Sequence, residues 1–346
     1  MKKFMAVLLA ALSIFTLTAC GGGNKKQAAS ATQSGNYAKG QFKLRIATVV
    51  SGKHAWVQMA DYIKKELEQK SKGAIEVSVF PGGQLGKDET TIDDMRLGTL
   101  DMIIGGTQNA APYVQQFQIL TMPYLFDNRN VFEKILVKNG PVFKYIQKKY
   151  EDNKLNLVLL GLCNGGERDL HTKKEIKGVA DLKGLKMRVT SSPTESTTWA
   201  AFGAIPTSLA FNEIYSAVQT NTVDAFECTL ASYNSTALYE VAPYHIKTAH
   251  QFTPSHITCS KVTYNKLPKE FQKLLEDVCE KAALEGNKIS DKADDTLLDS
   301  LVKEHGVKVC DVDKKTFKAL IEPKYDELSK ACKGEDLLKL IKDNIK

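Results

Sequence analysis

Arginine is scarce in this chain, and its positions suggest where an acidic ligand could be recognised. Of 47 basic residues only five are arginines, at positions 45, 96, 129, 168 and 188, and the rest are lysines. A guanidinium presents a planar fork that pairs with a carboxylate through two hydrogen bonds, which a lysine ammonium cannot do. Arginines in a lysine-rich chain are therefore candidates for carboxylate binding.

Arg168 and Arg188 flank one segment, and the local pattern predicts how Arg188 is presented. Between Leu185 and Val189 the apolar residues alternate with Lys186 and Arg188, as in a strand with one apolar and one polar face. Arg188 should therefore face a surface or a cleft. The alternative is that Arg168 and Arg188 are ordinary surface residues.

The first 40 residues are typical of an exported, membrane-anchored protein. Residues 1–19 contain two lysines followed by an apolar run, which predicts a signal peptide. The next residue, Cys20, completes a Leu-Thr-Ala-Cys sequence that resembles a bacterial lipobox and implies acylation of its sulfur. The alternative is a plain signal peptide. The composition of residues 20–40 predicts a flexible tether on a lipid anchor, and no later segment is long and apolar enough to span a membrane.

Charge and cysteine spacing exclude several classes of function. The net charge of +7 is spread along the chain without a basic block, so no nucleic-acid surface is expected. The cysteines beyond Cys20 are far apart in sequence, which excludes a local zinc motif or a redox pair. Their pairing cannot be deduced from sequence, and most are expected to be free and buried: Cys163, Cys228, Cys259, Cys279, Cys310 and Cys332.

Strand and helix patterns alternate along the chain, which predicts an α/β fold with a mainly parallel sheet. A long helix opens at Pro268 and should continue to Glu304, with a possible kink at Gly286. It would have about 37 residues and be roughly 55 Å long, longer than one small domain. The predicted strands are 43–49, 75–79, 100–104, 155–161, 185–189, 223–226, 255–261 and 307–309, and residues 314–333 should form the last helix.

The length predicts two α/β domains joined by a hinge, and the long helix should span both. Domain I is assigned to residues 41–164 and 254–293. Domain II is assigned to residues 165–253 and 294–346.

Enzyme signatures are scarce in the sequence, so no catalytic activity is expected. The chain has no G-x-S-x-G, H-E-x-x-H, Walker or G-x-G-x-x-G motif. An exported enzyme that uses Glu167, Asp169 or Glu227 as acid or base remains an alternative. His54 opens a helix after the first strand and Gln108 follows the third, so both are candidates for a ligand cleft, although His54 also suits a solvated helix start.

Eight short segments in order closely resemble the extracytoplasmic solute-binding subunits of tripartite ATP-independent periplasmic (TRAP) transporters. The resemblance covers residues 43–309, and the ordered set is more specific than any one segment. The segments are Pro81–Gly86, Leu97–Asp101, Met122–Phe126, Asp181–Arg188, Phe202–Pro206, Ala210–Tyr215, Val223–Glu227 and Tyr239–Val241.

This resemblance implies an α/β, periplasmic-binding-protein-like fold whose two domains close like a clamp on an organic acid. It also implies delivery of the acid to small and large membrane subunits. It implies that Arg188 holds the ligand carboxylate and that Arg168 is a second contact. It also implies an aromatic wall at Phe211 and a polar ligand contact at the residue after Glu227, here Cys228. A same-fold module that reports to a membrane sensor would use the same pocket and remains the alternative function.

Two departures from the family pattern bear on the ligand. Cys228 is a weak donor where many relatives carry a hydrogen-bonding residue, and Gly105-Gly106 replaces an acidic position of the sialic-acid binders. A smaller or less hydroxylated acid than sialic acid is therefore expected. No cofactor is expected, and the fixed positive charge of Arg168 argues against a metal ion. The carboxylate of Glu227 keeps a cation bound together with the ligand as an alternative.

Overall fold

A mixed sheet of nine strands organises the part of the chain that the structure, a computed structural model, describes, which is residues 37–345. Across the sheet the order is β2-β1-β3-β8-β4-β7-β5-β6, and β9 pairs with β8. The strands are β1 (Phe42–Ala47), β2 (Ile75–Phe80), β3 (Met102–Gly106), β4 (Leu157–Thr172), β5 (Lys186–Val189), β6 (Ile205–Ser208), β7 (Ala225–Thr229), β8 (Tyr244–Ser260) and β9 (Lys308–Asp311).

Helices cover the sheet and connect its strands. The α-helices are α1 (Ala55–Lys70), α2 (Asp88–Leu97), α3 (Thr107–Ala110), α4 (Phe117–Leu120), α5 (Arg129–Ile135), α6 (Pro141–Asp152), α7 (Pro193–Ala201), α8 (Ile214–Gln219), α9 (Leu230–Ser235), α10 (Lys261–Lys266), α11 (Lys269–His305), α12 (Lys314–Ile321), α13 (Tyr325–Ala331) and α14 (Glu335–Asn344).

Five of the eight strand pairs of this sheet are parallel, in line with the prediction of a mainly parallel sheet, but the three central pairs are antiparallel. The outer pairs, such as β1 with β2 and β5 with β6, are parallel. The centre is antiparallel, because β8 pairs with both β3 and β4, and β4 pairs with β7. The outer pairs are parallel because their strands alternate with helices along the chain. The direction reverses in the middle of the sheet, where the two long strands β4 and β8 lie.

The strands β4 and β8 are much longer than their sequence patterns predict. The predicted segments 155–161 and 255–261 correspond only to the beginning of β4 and the end of β8. The register of β4 against β8 shifts between Asn164 and Glu167. Gly166 lies in this irregularity with φ of +108°, a conformation that favours glycine. The bulge interrupts the apolar alternation, so the pattern conceals the rest of the strand.

Helix α11 confirms the predicted long helix. It has 37 residues, begins after Pro268 and ends at Gly306, whose φ of +68° is a left-handed helix cap. It runs without interruption through Gly286, which approaches the Met59 side chain of α1. Its first half packs into a core cluster with α1 and β1, and Leu301 in its second half packs into a different cluster with α8 and β7.

The C-terminal region differs from the single predicted helix 314–333 and consists of α12, α13 and α14. Tyr325 donates a hydrogen bond to the Pro123 carbonyl, and Tyr145 donates to Asp336 Oδ1 at 2.6 Å. These contacts join α13 and α14 to a segment that was assigned to domain I. Residues from position 37 onward form one compact unit, and the domain ranges remain a prediction.

Three further predictions concern the N-terminal segment, membrane-spanning helices and the cysteines. The predicted signal peptide, the lipidation at Cys20 and residues 20–36 of the tether lie outside the described residues. Among the described residues, no helix is long and apolar enough to cross a membrane. The six cysteines from Cys163 onward are free, and all but Cys310 are buried.

Glycine caps provide a test of how α2 is held in place. Gly98 has φ of +80° at the end of α2, and a Cβ there would lie 3.0 Å from the Val262 side chain. Gly306 has a similar φ but open space around it. We expect Gly306→Ala to lower the free energy of unfolding by about 1 to 2 kcal/mol, the cost of a left-handed residue with a side chain.

Gly98→Ala should lower the free energy of unfolding by at least ~1 kcal/mol more, because Val262 must also move. Urea denaturation followed by circular dichroism measures both variants. Equal losses would show that Val262 does not restrict this cap.

Candidate functional site

A narrow cavity lies where loops and helix starts follow the ends of several strands. Its volume is about 20 Å³, room for roughly one water molecule. Parallel α/β sheets bind ligands at the carboxyl ends of their strands, and β1, β3 and β5 each lead into this cavity. The lining residues are Val49, Val50, Trp56, Asp88, Gln108, Asn109, Arg168, Arg188, Thr190, Phe211, Cys228 and Ser232.

Arg168 lines the cavity and is paired with Glu227. β4 and β7 are antiparallel neighbours, which brings the two side chains together. The Arg168 guanidinium donates to both carboxylate oxygens of Glu227 and, at 3.1 Å, to its backbone carbonyl. Both residues are buried, so each charge depends on the other for compensation.

His250 completes the surroundings of Glu227. Its Nε2 lies 3.5 Å from Glu227 Oε2, and its Nδ1 lies 3.0 Å from the Thr248 hydroxyl. Burial by itself raises the pKa of Glu227, but the Arg168 charge and the hydrogen bond to His250 outweigh burial and lower this pKa to about 2. Glu227 is therefore a fixed anion that orients Arg168.

Arg188 lines the same cavity without a carboxylate partner. Its side chain is 1% exposed, and its Nε donates to the Leu209 carbonyl at 2.9 Å. Within residues 37–345 its two terminal nitrogens make no hydrogen bond and no ion pair. Burial lowers the pKa of Arg188, and the nearby Glu227 and Glu195 oppose that shift. A buried guanidinium with free donors favours the binding of an anion.

The structure brings most of the predicted site residues together. Gln108, Phe211 and Cys228 line the cavity with Arg168 and Arg188. Glu227 does not line it and acts through Arg168 instead. Arg188 is buried in a cleft, which is one of the two positions that the alternation in its strand predicts.

His54, like Glu227, is a predicted site residue that does not line this cavity. Its side chain is buried and caps α1, because Nδ1 accepts from the Trp56 backbone N–H at 3.2 Å. Its Nε2 lies 3.2 Å from the Ser232 hydroxyl. Burial lowers the pKa of His54 to about 3, so the ring is neutral. The ring packs behind Trp56 and Ser232, which line the cavity. The expectation of a solvated helix start is wrong.

Sequence reasoning missed several lining residues. Asp88 is the first residue of α2, and Trp56 Nε1 donates to Ser255 at 3.0 Å beside the cavity. Asn109 and Thr190 lie just after β3 and β5. A polar residue just after a predicted parallel strand is the signal that points to Asn109 and Thr190 as well as to Gln108.

No group of histidine, cysteine or acidic side chains in residues 37–345 could hold a metal ion. The acidic alternatives Glu167 and Asp169 do not line the cavity that contains Arg188.

Comparison with known proteins assigns this arrangement to a family. The model of DctP, bacterial extracellular solute-binding protein, family 7, matches residues 46–331. The chain belongs to this family. The predicted resemblance to TRAP solute-binding subunits is thereby confirmed.

Relatives of this family 7 protein include both curated sequences and solved structures. It is 29% identical over 279 residues to the 2,3-diketo-L-gulonate-binding periplasmic protein of Escherichia coli, covering 80% of this chain and 84% of that protein. It is 29% identical to a TRAP periplasmic solute-binding protein from Pseudomonas putida with bound D-glucuronate, with a TM-score of 0.80 and coverage of 87% and 97%.

A third relative binds a different kind of acid. The TRAP periplasmic solute-binding protein from Sulfurospirillum deleyianum with bound succinate is 25% identical, with a TM-score of 0.81 and coverage of 87% of this chain and 98% of that chain. These matches confirm the predicted α/β, periplasmic-binding-protein-like fold class.

Proposed function

We propose that this family 7 protein captures a small organic acid and delivers it to the small and large membrane subunits of a TRAP transporter. The observation that carries the carboxylate assignment is the buried guanidinium of Arg188, which has free donors and lines a cleft. Relatives bind D-glucuronate and succinate, which both carry a carboxylate. Arg188 holds this carboxylate, and Arg168, kept in place by Glu227, is the second cationic contact.

Ligand entry requires the cleft to open. A cavity of about 20 Å³ is far smaller than the ~300 Å³ or more of ordinary ligand pockets. Opening separates the walls, and closure around the acid excludes water from Arg188 and strengthens its interaction with the carboxylate. Phe211 supplies an apolar wall and Gln108 a polar contact within the same cavity.

Localisation follows from the family and from the N-terminal sequence. We place the protein outside the cytoplasm, in the periplasm or on the outer face of the cytoplasmic membrane. Cleavage after residue 19 and acylation of Cys20 would anchor it there by lipid.

We also propose that the protein performs no chemistry on the ligand. Glu227 is held by Arg168. The His54 ring beside the Ser232 hydroxyl accepts from the Trp56 N–H at Nδ1, so its proton is on Nε2 and it cannot act as a base toward Ser232.

A thermal-shift screen with the mature protein tests the carboxylate assignment. Organic acids should raise the melting temperature, because a ligand at a hundred times its Kd stabilises the native state by about 2.7 kcal/mol. Matched alcohols and amides that lack the carboxylate are the controls and should give no shift. Equal shifts for acids and their uncharged analogues would refute a site built around Arg188.

A further inference from the structure

One wall of the cavity is rich in polar side chains that the carboxylate does not need. Asp88 from α2 and Gln108 and Asn109 from α3 line the cavity, and all three are buried. None of them lies on the strands that carry Arg168 and Arg188. The cavity therefore has a cationic region, formed by Arg168 and Arg188, and a separate polar region, formed by side chains of α2 and α3.

Asp88 presents a free acceptor in this wall. Its Oδ2 accepts a hydrogen bond from Asn109 Nδ2, whereas no protein donor in residues 37–345 contacts its Oδ1. Asp88 and Arg188 do not form an ion pair with each other, so both groups remain available to a ligand.

The Gln108 amide adds a second free acceptor. Its Oε1 is buried and has no hydrogen-bond partner among the described residues. A Cβ at Gly106 would overlap the Gln108 amide, and a Cβ at Gly105 would lie 3.2 Å from Asp88 Oδ1. The two glycines at the end of β3 therefore leave the space that these polar groups occupy.

The charges of the cavity match a ligand with one carboxylate. Glu227 is hydrogen-bonded to Arg168, which leaves Arg188 as the cation without a directly bonded carboxylate. Asp88 carries a negative charge when ionised, so a second carboxylate placed near it would meet a like charge in a site that excludes water. Hydroxyl groups suit this wall, because each one donates a single hydrogen bond, to Asp88 or to Gln108, and accepts from an amide N–H.

We propose that Asp88 and Gln108 select a hydroxylated monocarboxylate, of the sugar-acid class, and exclude dicarboxylates. This rests on the proposed function, in which Arg188 holds the carboxylate. A sugar acid of this class is smaller than sialic acid, in keeping with the expectation that rests on Cys228 and Gly105-Gly106. An amino acid is the competing ligand class, because its ammonium group also donates to Asp88 Oδ1 and Gln108 Oε1, and the test below includes one for that reason.

The test compares the wild type with Asp88→Asn, which keeps the shape of the side chain and removes its charge. Burial and, next, Glu89 raise the pKa of Asp88 to about 7, against the opposing hydrogen bond from Asn109 and charge of Arg188. Titration calorimetry is therefore run at about pH 8, where the carboxyl is mostly ionised. The probes are D-glucuronate, D-galacturonate, gluconate, succinate and L-glutamate.

We expect the wild type to bind at least one sugar acid about 100-fold more tightly than succinate or glutamate, and Asp88→Asn to reduce this preference over succinate by about tenfold or more. Asp93→Asn is the matched control. Asp93 lies on the same helix, pairs with Arg96 on the surface and does not line the cavity, so its replacement should leave the preference unchanged.

Each outcome separates this inference from the proposed function. A wild type that prefers succinate or glutamate, or an Asp88→Asn variant with an unchanged preference, overturns the assignment of Asp88 while carboxylate binding stands. If none of these acids binds and Arg188 variants behave like the wild type in the wider screen, both proposals fail.

Discussion

Replacing Arg188 with lysine is expected to weaken binding of the organic acid by about 2 to 5 kcal/mol, the range measured when one partner of a buried charge pair is changed. Lysine keeps the positive charge but has a single ammonium in place of the planar fork, so it cannot reproduce two parallel hydrogen bonds to a carboxylate. Arg188→Ala should fall in the same range or beyond it. Calorimetric titration with the best acid from the thermal-shift screen gives the difference directly.

The matched control for this prediction is Arg96→Lys. Arg96 lies on α2, pairs with Asp93 at 3.0 Å and is partly exposed, so the same chemical change there should leave the affinity unaltered. Unchanged affinity of both Arg188 variants, with folding intact by circular dichroism, would remove Arg188 from the ligand site.

Replacing Glu227 with glutamine is expected to lower the free energy of unfolding by about 3 to 5 kcal/mol, because it leaves the buried Arg168 charge without compensation. The carboxylate is fully buried and accepts both side-chain hydrogen bonds from Arg168. Glutamine has nearly the same shape, so the loss reports the charge and not a cavity. Urea denaturation of the ligand-free protein measures it.

Asp295→Asn tests whether this loss is specific to a buried pair. Asp295 accepts a 3.0 Å hydrogen bond from Arg129, but its side chain is 63% exposed. Such surface pairs contribute about 0 to 1 kcal/mol, so this variant should be close to the wild type. A Glu227→Gln variant as stable as Asp295→Asn would mean that Arg168 has other compensation in the folded chain.

Local patterns predicted the elements whose residues interact mainly with their sequence neighbours. The alternation around Arg188 predicted a short strand with a polar face, and the apolar spacing after Pro268 predicted a helix of the correct length. In both cases a single periodicity continues through the whole element. The family resemblance then supplied Arg168, Phe211 and Cys228 as cavity residues.

Tertiary contacts explain what sequence reasoning could not reach. The full length of β4 depends on pairing with β8 across a bulge at Gly166, which has no local signature beyond two glycines. Asp88 looks like a helix start in sequence, and only the packing of α2 beside β3 brings it to the cavity of Arg188. The same is true of Glu227, whose role depends on the register between β7 and β4.

The continuity of α11 limits how the cleft can open. One rod of 37 residues is embedded at its two ends in separate apolar clusters, and β4 and β8 also run on through the middle of the sheet. Widening of the cavity must therefore bend α11, β4 and β8 together along their lengths. It cannot occur by rotation about a single flexible loop. Because the narrow cavity belongs to the unbent form of these elements, their elastic energy favours return of an opened cleft to its closed form.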